Sequence, residues 1–149
     1  MAFYPVPGAS LVLGGREYRV AEHPAAPGMP YGQEGRQAVV YQLLAGEERV
    51  ALKVFKPRFR DPGQVSLADK LAGYADLPGL RVCRRTVLSA QRHGVLLQEY
   101  PDLIYCVVMP WIEGPTWMQV VLERRALQAE GSLGLARELA RVLARMSGA

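Results

Sequence analysis

A single lysine in an otherwise apolar run, Val50-Ala51-Leu52-Lys53-Val54-Phe55, carries the strongest chemical signal in this chain. About twenty residues before it lies Gly32-Gln33-Glu34-Gly35-Arg36-Gln37-Ala38-Val39-Val40-Tyr41, and about fifty-five after it Cys106-Val107-Val108-Met109-Pro110-Trp111-Ile112-Glu113-Gly114. A nucleoside triphosphate needs close backbone approach at its phosphates, a cation to offset their charge, and an edge for its base. Glycine lacks a Cβ and permits the close approach. Lys53 supplies the cation. Side chains alternate along a strand, so Ala51, Lys53 and Phe55 share one face, opposite Val50, Leu52 and Val54. A small Ala51 beside Lys53 leaves room for an adenine ring while the ammonium reaches the phosphates. Taken singly, each segment has a plainer reading. The glycines make an ordinary turn, Lys53 is a charge that discourages edge pairing, and 107–112 is a buried strand with Trp111 in the core. The three in this order favour phosphate binding.

The elements that must position these residues are legible in outline. Residues 10–13 and 17–20 are strand candidates joined by Gly14-Gly15, a hairpin signal. Pro24, Pro27, Gly28 and Pro30 predict a loop. Residues 37–44 and 49–55 form a second hairpin across Ala45-Gly46-Glu47-Glu48. Val65, Ala68, Leu71, Ala72 and Ala75 recur at helical spacing and predict one amphipathic helix over 65–75, stopped by Pro78-Gly79. Two further strands are expected at 80–88 and 103–109, separated by the polar segment 89–92 and an irregular stretch to Asp102. A helix follows Gly114-Pro115, with Trp117, Val120 and Val121 on one side. A last helix runs from an N-cap at Ser132 to Met146, with Leu135, Leu139, Val142, Leu143 and Met146 as its apolar stripe. This order predicts an α+β fold, an antiparallel sheet with a helix packed on it, over alternating βαβ units.

These segments resemble, in chain order, the N-terminal lobe of the protein kinase superfamily, and within it a divergent bacterial serine/threonine-kinase-like group, chiefly through residues 107–117. The resemblance covers roughly residues 17 to 146. It implies a five-stranded antiparallel sheet with one packed helix, followed by two helices of a truncated C-lobe. It divides the chain into an N-terminal extension (1–16), a kinase-like lobe with its hinge (17–113) and the start of a helical C-lobe (114–149). Aligned on Val40, the family's Gly-rich loop places Gln33, Gly35 and Ala38 at its three glycine positions. Val40 and Ala51 then line the adenine, Lys53 positions the phosphates, Met109 is the gatekeeper, and Pro110, Trp111 and Ile112 form the hinge, where Ile112 offers backbone groups and Pro110 has no N–H. The helix glutamate that pairs with the lysine in this family is missing, since 65–75 contains no Glu. Asp69 is the nearest acidic candidate and Asp76 lies just beyond, although either also reads as a surface acid.

ATP is the expected ligand, with Mg2+ only in a complete parent. No H-R-D-like catalytic loop or D-F-G motif occurs in the 149 residues. The chain alone is therefore expected to be inactive, because phosphoryl transfer rests on positioning and electrostatics. The expected partners are ATP and either the missing C-lobe or a protein that covers the last helix. A non-catalytic, pseudokinase-type interaction module is the alternative.

Composition narrows the other classes. With 50% hydrophobic and 21% charged residues the chain reads as globular. Its 18 basic and 14 acidic residues give a net charge of +4, with the arginines scattered and paired only at Arg84-Arg85 and Arg124-Arg125. No aromatic-interleaved basic patch argues for nucleic acid. Cys83 and Cys106 sit in apolar runs without a CxxC or Cys/His cluster, so buried thiols in a reducing compartment are expected, and no metal site. Neither a signal peptide nor a membrane span is expected, and the chain reads as cytoplasmic.

Overall fold

The computed structural model describes residues 3–123 and 128–148. The Arg124-Arg125 pair lies outside them. Strands β1 (Ser10–Leu13) and β2 (Arg16–Val20) form the expected hairpin. Gly14 and Gly15 take φ values of 59° and 81°, the left-handed pair that a two-residue hairpin turn requires. Leu11 and Leu13 enter the same core cluster as Val20, so this hairpin continues across the boundary expected between residues 16 and 17.

The segment expected to be a proline-rich loop instead forms a small separate hairpin, β3 (Glu22–His23) and β4 (Ala26–Pro30). Proline is tolerated in such a two-stranded ribbon because an edge strand can spare N–H groups. Side chains hold its turn: the Ala25 N–H donates to His23 Nδ1 at 3.1 Å and the Gly28 N–H to Glu22 at 2.6 Å. The chain then returns as β5 (Gly32–Glu34), β6 (Ala38–Ala45) and β7 (Glu48–Phe55).

After β7 comes helix α1 (Gly63–Ala72), close to the helix expected at 65–75. The strand expected at 80–88 shrinks to a 3-10 turn, Arg81–Cys83, and a two-residue β8 (Thr86–Val87). Its buried residues Leu80, Cys83, Val87 and Leu88 do not alternate, a pattern that a strand cannot bury on one face. The polar stretch that follows is helix α2 (Ala90–Glu99), kinked at His93 and anchored by buried Leu97. Strand β9 (Val107–Pro110) starts later than the expected 103, because Pro101–Leu103 form a 3-10 turn and Tyr105 takes a φ of 61°.

Helix α3 (Trp117–Leu122) follows, capped reciprocally by Thr116 and Gln119. The side chain of Trp117, expected on its apolar side, lies outside what is described. Helix α4 (Ala129–Ser147) has Gln128 at its N-cap position, without a side-chain cap, which leaves Ser132 inside the helix instead of at the expected N-cap.

All pairings are antiparallel, in the order β1-β2-β6-β7-β9-β8, with β5 also on β6. The sheet thus has seven strands where five were expected. The difference comes from β1, which joins the sheet instead of standing outside it, and from β5, which was expected as loop. The outer edge of β6 is shared, with β2 at Leu43 and Leu44 and β5 at 39–41. Between them the β3–β4 hairpin grows out of the edge at Gln42. The Gln42 carbonyl accepts from Ala21, its N–H donates to Tyr31, and the Tyr31 N–H closes back on Ala21.

Two apolar clusters hold the sheet. Leu43, Leu52, Leu88, Leu103 and Cys106, all fully buried, centre the larger one between the curled strands and α2. On the opposite face Phe55, Val87 and Val107 pack against Ala68 of α1. Among the described residues no helix is long and apolar enough to cross a membrane.

Candidate functional site

Register decides which side chains meet. Directly opposed residues of an antiparallel ladder point to the same face. One row across the sheet runs Gln33, Val40, Lys53, Val107, Val87, and the neighbouring row runs Gln42, Ala51, Met109. Ala38 opposes Phe55 on the same face. Five of the residues expected at a nucleotide site, Ala38, Val40, Ala51, Lys53 and Met109, therefore share one face of three adjacent strands. That is also the face on which α1 packs.

Lys53 is half-buried, with its Nζ 4.9 Å from the centroid of the Phe55 ring, a cation–π distance. It borders a cavity of about 460 Å³ whose other walls are Val40, Ala38 and the turn from Gln33 to Gln37. Gly35 sits exposed at the tip of that turn, which its N–H closes by donating to the Ala38 carbonyl at 2.8 Å. Two bonds tie the turn to the end of β7. The Lys56 N–H donates to Gln37 at 2.9 Å, and Lys56 Nζ donates to Glu34 at 2.6 Å. The Lys56 ammonium, by hydrogen bond first and charge second, holds the Glu34 carboxyl below its ordinary value. The one carboxylate in the cavity wall is thus already matched, while Arg36 and Lys53 leave the cavity positive. Such a site attracts phosphate.

The remaining expected residues are not gathered there. Asp69 is exposed on α1, and no ion pair joins Lys53 to it or to any other carboxylate among the described residues. Ile112 lies beyond β9 and is 52% exposed. Among the described residues no cluster of His, Cys, Asp or Glu could hold a metal ion. Cys83 and Cys106 are buried free thiols, and burial pushes the Cys106 thiol up to about 11.

A larger cleft of about 660 Å³ is lined by Tyr18, Val50, Thr86 and Val108 of the reverse face and reaches round to Met109 and Trp111. Its arginines are already committed: Arg49 to Glu113, Arg84 to Asp76, and Arg81 to the Trp111 carbonyl. The smaller cavity, with a half-buried lysine under a glycine turn, is the better anion site.

Sequence reasoning missed Gln42 and Tyr31 of this face and placed Trp111 only in the hinge. Gln42 is 6% exposed and sits beside Ala51 in its row. Tyr31 and Trp111 bring their rings to 5.3 Å at the far end. The alternation that placed Ala51 on the Lys53 face also places Trp111 there, two residues beyond Met109. Tyr31 had no such signal, because the prolines before it read as loop. Compared with known proteins, the chain matches no family model, no curated protein and no solved structure.

Proposed function

We propose that this chain is the ATP-binding portion of a serine/threonine-protein-kinase-like phosphotransferase. One observation carries the reading: Ala38, Val40, Ala51, Lys53 and Met109 share a sheet face, with Lys53 at the mouth of a positive cavity under the Gly35 turn. The helix inserted between β7 and β8 packs on that same face, as the kinase-like lobe requires. ATP phosphates would lie against Lys53 and the turn, and the base toward Ala51 and Met109. Phosphoryl transfer to a hydroxyl acceptor belongs to a complete parent, which would add the catalytic aspartate and the groups that hold Mg2+. Helix α4 supports a second lobe or a protein partner as its cover, since Leu135, Leu139 and Leu143 stay 45%, 61% and 54% exposed. Within this chain α4 is held by Val142 against Gly79 and by Arg145, whose Nη1 donates to the Pro78 carbonyl at 2.9 Å. Two buried free thiols fit a reducing, cytoplasmic setting.

The second reading, a pseudokinase-type interaction module, draws on the unpaired geometry of Lys53 and Asp69. Calorimetric titration with Mg-ATP separates the two, run on this chain and on the gene's full open reading frame. Binding that disappears in Lys53→Ala supports the nucleotide lobe. No heat from either protein sinks the ATP reading and leaves the interaction module.

A further inference from the structure

The two ends of the Lys53 face differ. At the phosphate end the cavity is open, but at the base end Ala51 and Gln42 are 4% and 6% exposed. Backbone geometry explains what lies over them. Tyr31 accepts from the Gln42 N–H at 2.9 Å, which sets it beside β6 in the row of Gln42, Ala51 and Met109. Trp111 donates its N–H to the Arg49 carbonyl at 3.2 Å, which sets it beside β7 on the other side. Strands β6 and β7 separate the two residues, so their backbones stand about three strand spacings apart, roughly 14 Å. Yet their ring centroids are 5.3 Å apart at a tilt of 54°. The two rings must lean toward each other across β6 and β7, forming an arch over the floor at Gln42 and Ala51. The His23 ring, from the β3–β4 hairpin, braces Tyr31 edge-on at 5.2 Å.

We propose that Tyr31 and Trp111 form an aromatic gate over the base end of the nucleotide site, opened when Tyr31 moves away with the β3–β4 hairpin. This rests on the nucleotide reading above and adds a regulatory element to it. With the gate shut, the site takes a polyphosphate but not the base attached to it. The Tyr31–Trp111 contact must break before a purine reaches Ala51, so the contact weakens nucleotide binding by its own strength. The hairpin is suited to moving. It leaves the sheet at Gln42, and among the described residues its strands pair only with each other.

The test compares Mg-ATP with inorganic tripolyphosphate, by calorimetry, on the full chain. Tyr31→Ala and Trp111→Ala should each tighten Mg-ATP about fivefold, the worth of one aromatic pair, and leave tripolyphosphate unchanged. A ring-intact readout does not depend on how well those variants fold. In Trp117→Phe, Trp111 is the remaining one of two tryptophans, and its emission should shift with Mg-ATP but not with tripolyphosphate. Weaker Mg-ATP binding in both alanine variants would mean that the rings hold the base, which overturns the gate and leaves the nucleotide site standing. An unchanged ratio of the two affinities, with no emission shift, also overturns it. If tripolyphosphate fails to bind, or binds equally to Lys53→Ala, the nucleotide reading itself falls and takes the gate with it.

Discussion

Two glycines near the cavity, three residues apart, should fail in opposite ways when replaced by alanine. A Cβ on Gly32 would lie 2.7 and 2.9 Å from two ring carbons of Tyr41 and 3.3 Å from the Val40 carbonyl oxygen. Carbon–carbon contact is comfortable near 3.5–4 Å, so the ring must retreat by roughly 0.7 Å or more. Tyr41 has little freedom to do so. Its ring meets the edge of Phe3 at 6.3 Å, and the Phe3 N–H is held by both carboxylate oxygens of Asp102, at 3.0 and 2.8 Å. Overpacking of this kind costs about 1–3 kcal/mol, offset by about 0.4–1 kcal/mol from the stiffer unfolded chain. Gly32→Ala should therefore lose about 1–2 kcal/mol, a fall of roughly 4 °C in Tm for a chain of this size. At Gly35 the added Cβ would sit 3.5 Å from the Ala38 carbonyl oxygen, an ordinary contact, and the backbone φ is not positive. Gly35→Ala should leave stability unchanged, but its methyl stands where a phosphate would approach the turn, weakening tripolyphosphate about tenfold. Guanidinium denaturation and calorimetry read the two effects separately. The reasoning fails if Gly32→Ala is as stable as the parent. It fails equally if the substitution costs as much in a Tyr41→Leu background, where the clash should be relieved.

Three further outcomes follow from burial and exposure. Burial, ahead of the neighbouring Arg92 charge, holds His93 below its ordinary value, and its Nδ1 accepts from the Ser89 N–H at 3.3 Å. The unfolded chain takes up this proton near pH 6.5, before the folded chain does. Stability should thus fall as pH drops from about 6.5 through the lower folded value, then level off; denaturant melts should show His93→Gln without that component. Leu52, fully buried at the centre of the larger cluster, should lose about 2–5 kcal/mol on Leu52→Ala. Leu139→Ala, at a residue 61% exposed on α4, should stay within about 0.5 kcal/mol in the same melts. A large loss at Leu139 would mean that α4 is covered by a second copy of the chain.

Much of the fold was legible because its rules are local. A two-residue glycine turn fixes a hairpin, and period-two alternation assigns faces without knowledge of neighbours. That is why Ala51 and Lys53 land on one side of β7, with Val40 and Met109 opposite them. The failures have equally local causes. Prolines suppressed the β3–β4 hairpin, whose edge strands can do without those N–H groups. Helix α2 was hidden by Gly94 and by a polar first turn, and its His93 does not hold helical angles even in the folded chain. The apolar run from Leu80 invited a strand, but the residues it buries, Leu80, Cys83, Val87 and Leu88, do not follow period-two alternation.

The candidate site divides along the same line. The half proposed to take phosphate comes from one stretch of chain: the Gly35 turn, Ala38, Val40 and Lys53 lie on contiguous strands joined by short turns. A motif can describe such a site because sequence order and spatial order coincide. The half proposed to take the base does not work that way. Tyr31 and Trp111 meet only after β9 has crossed back to pair with β7, and after the hairpin has returned the chain to β6. No periodicity links residues so far apart in sequence. The sheet's register links them, by putting both on the face of Ala51. The half set by contiguous chain borders a cavity, and in the half set by long-range register Ala51 and Gln42 are buried. In the proposed reading, the part that recognises a common feature, polyphosphate, is thus standing ready. The part that selects the base depends on a contact that can be broken without disturbing the strands beneath it.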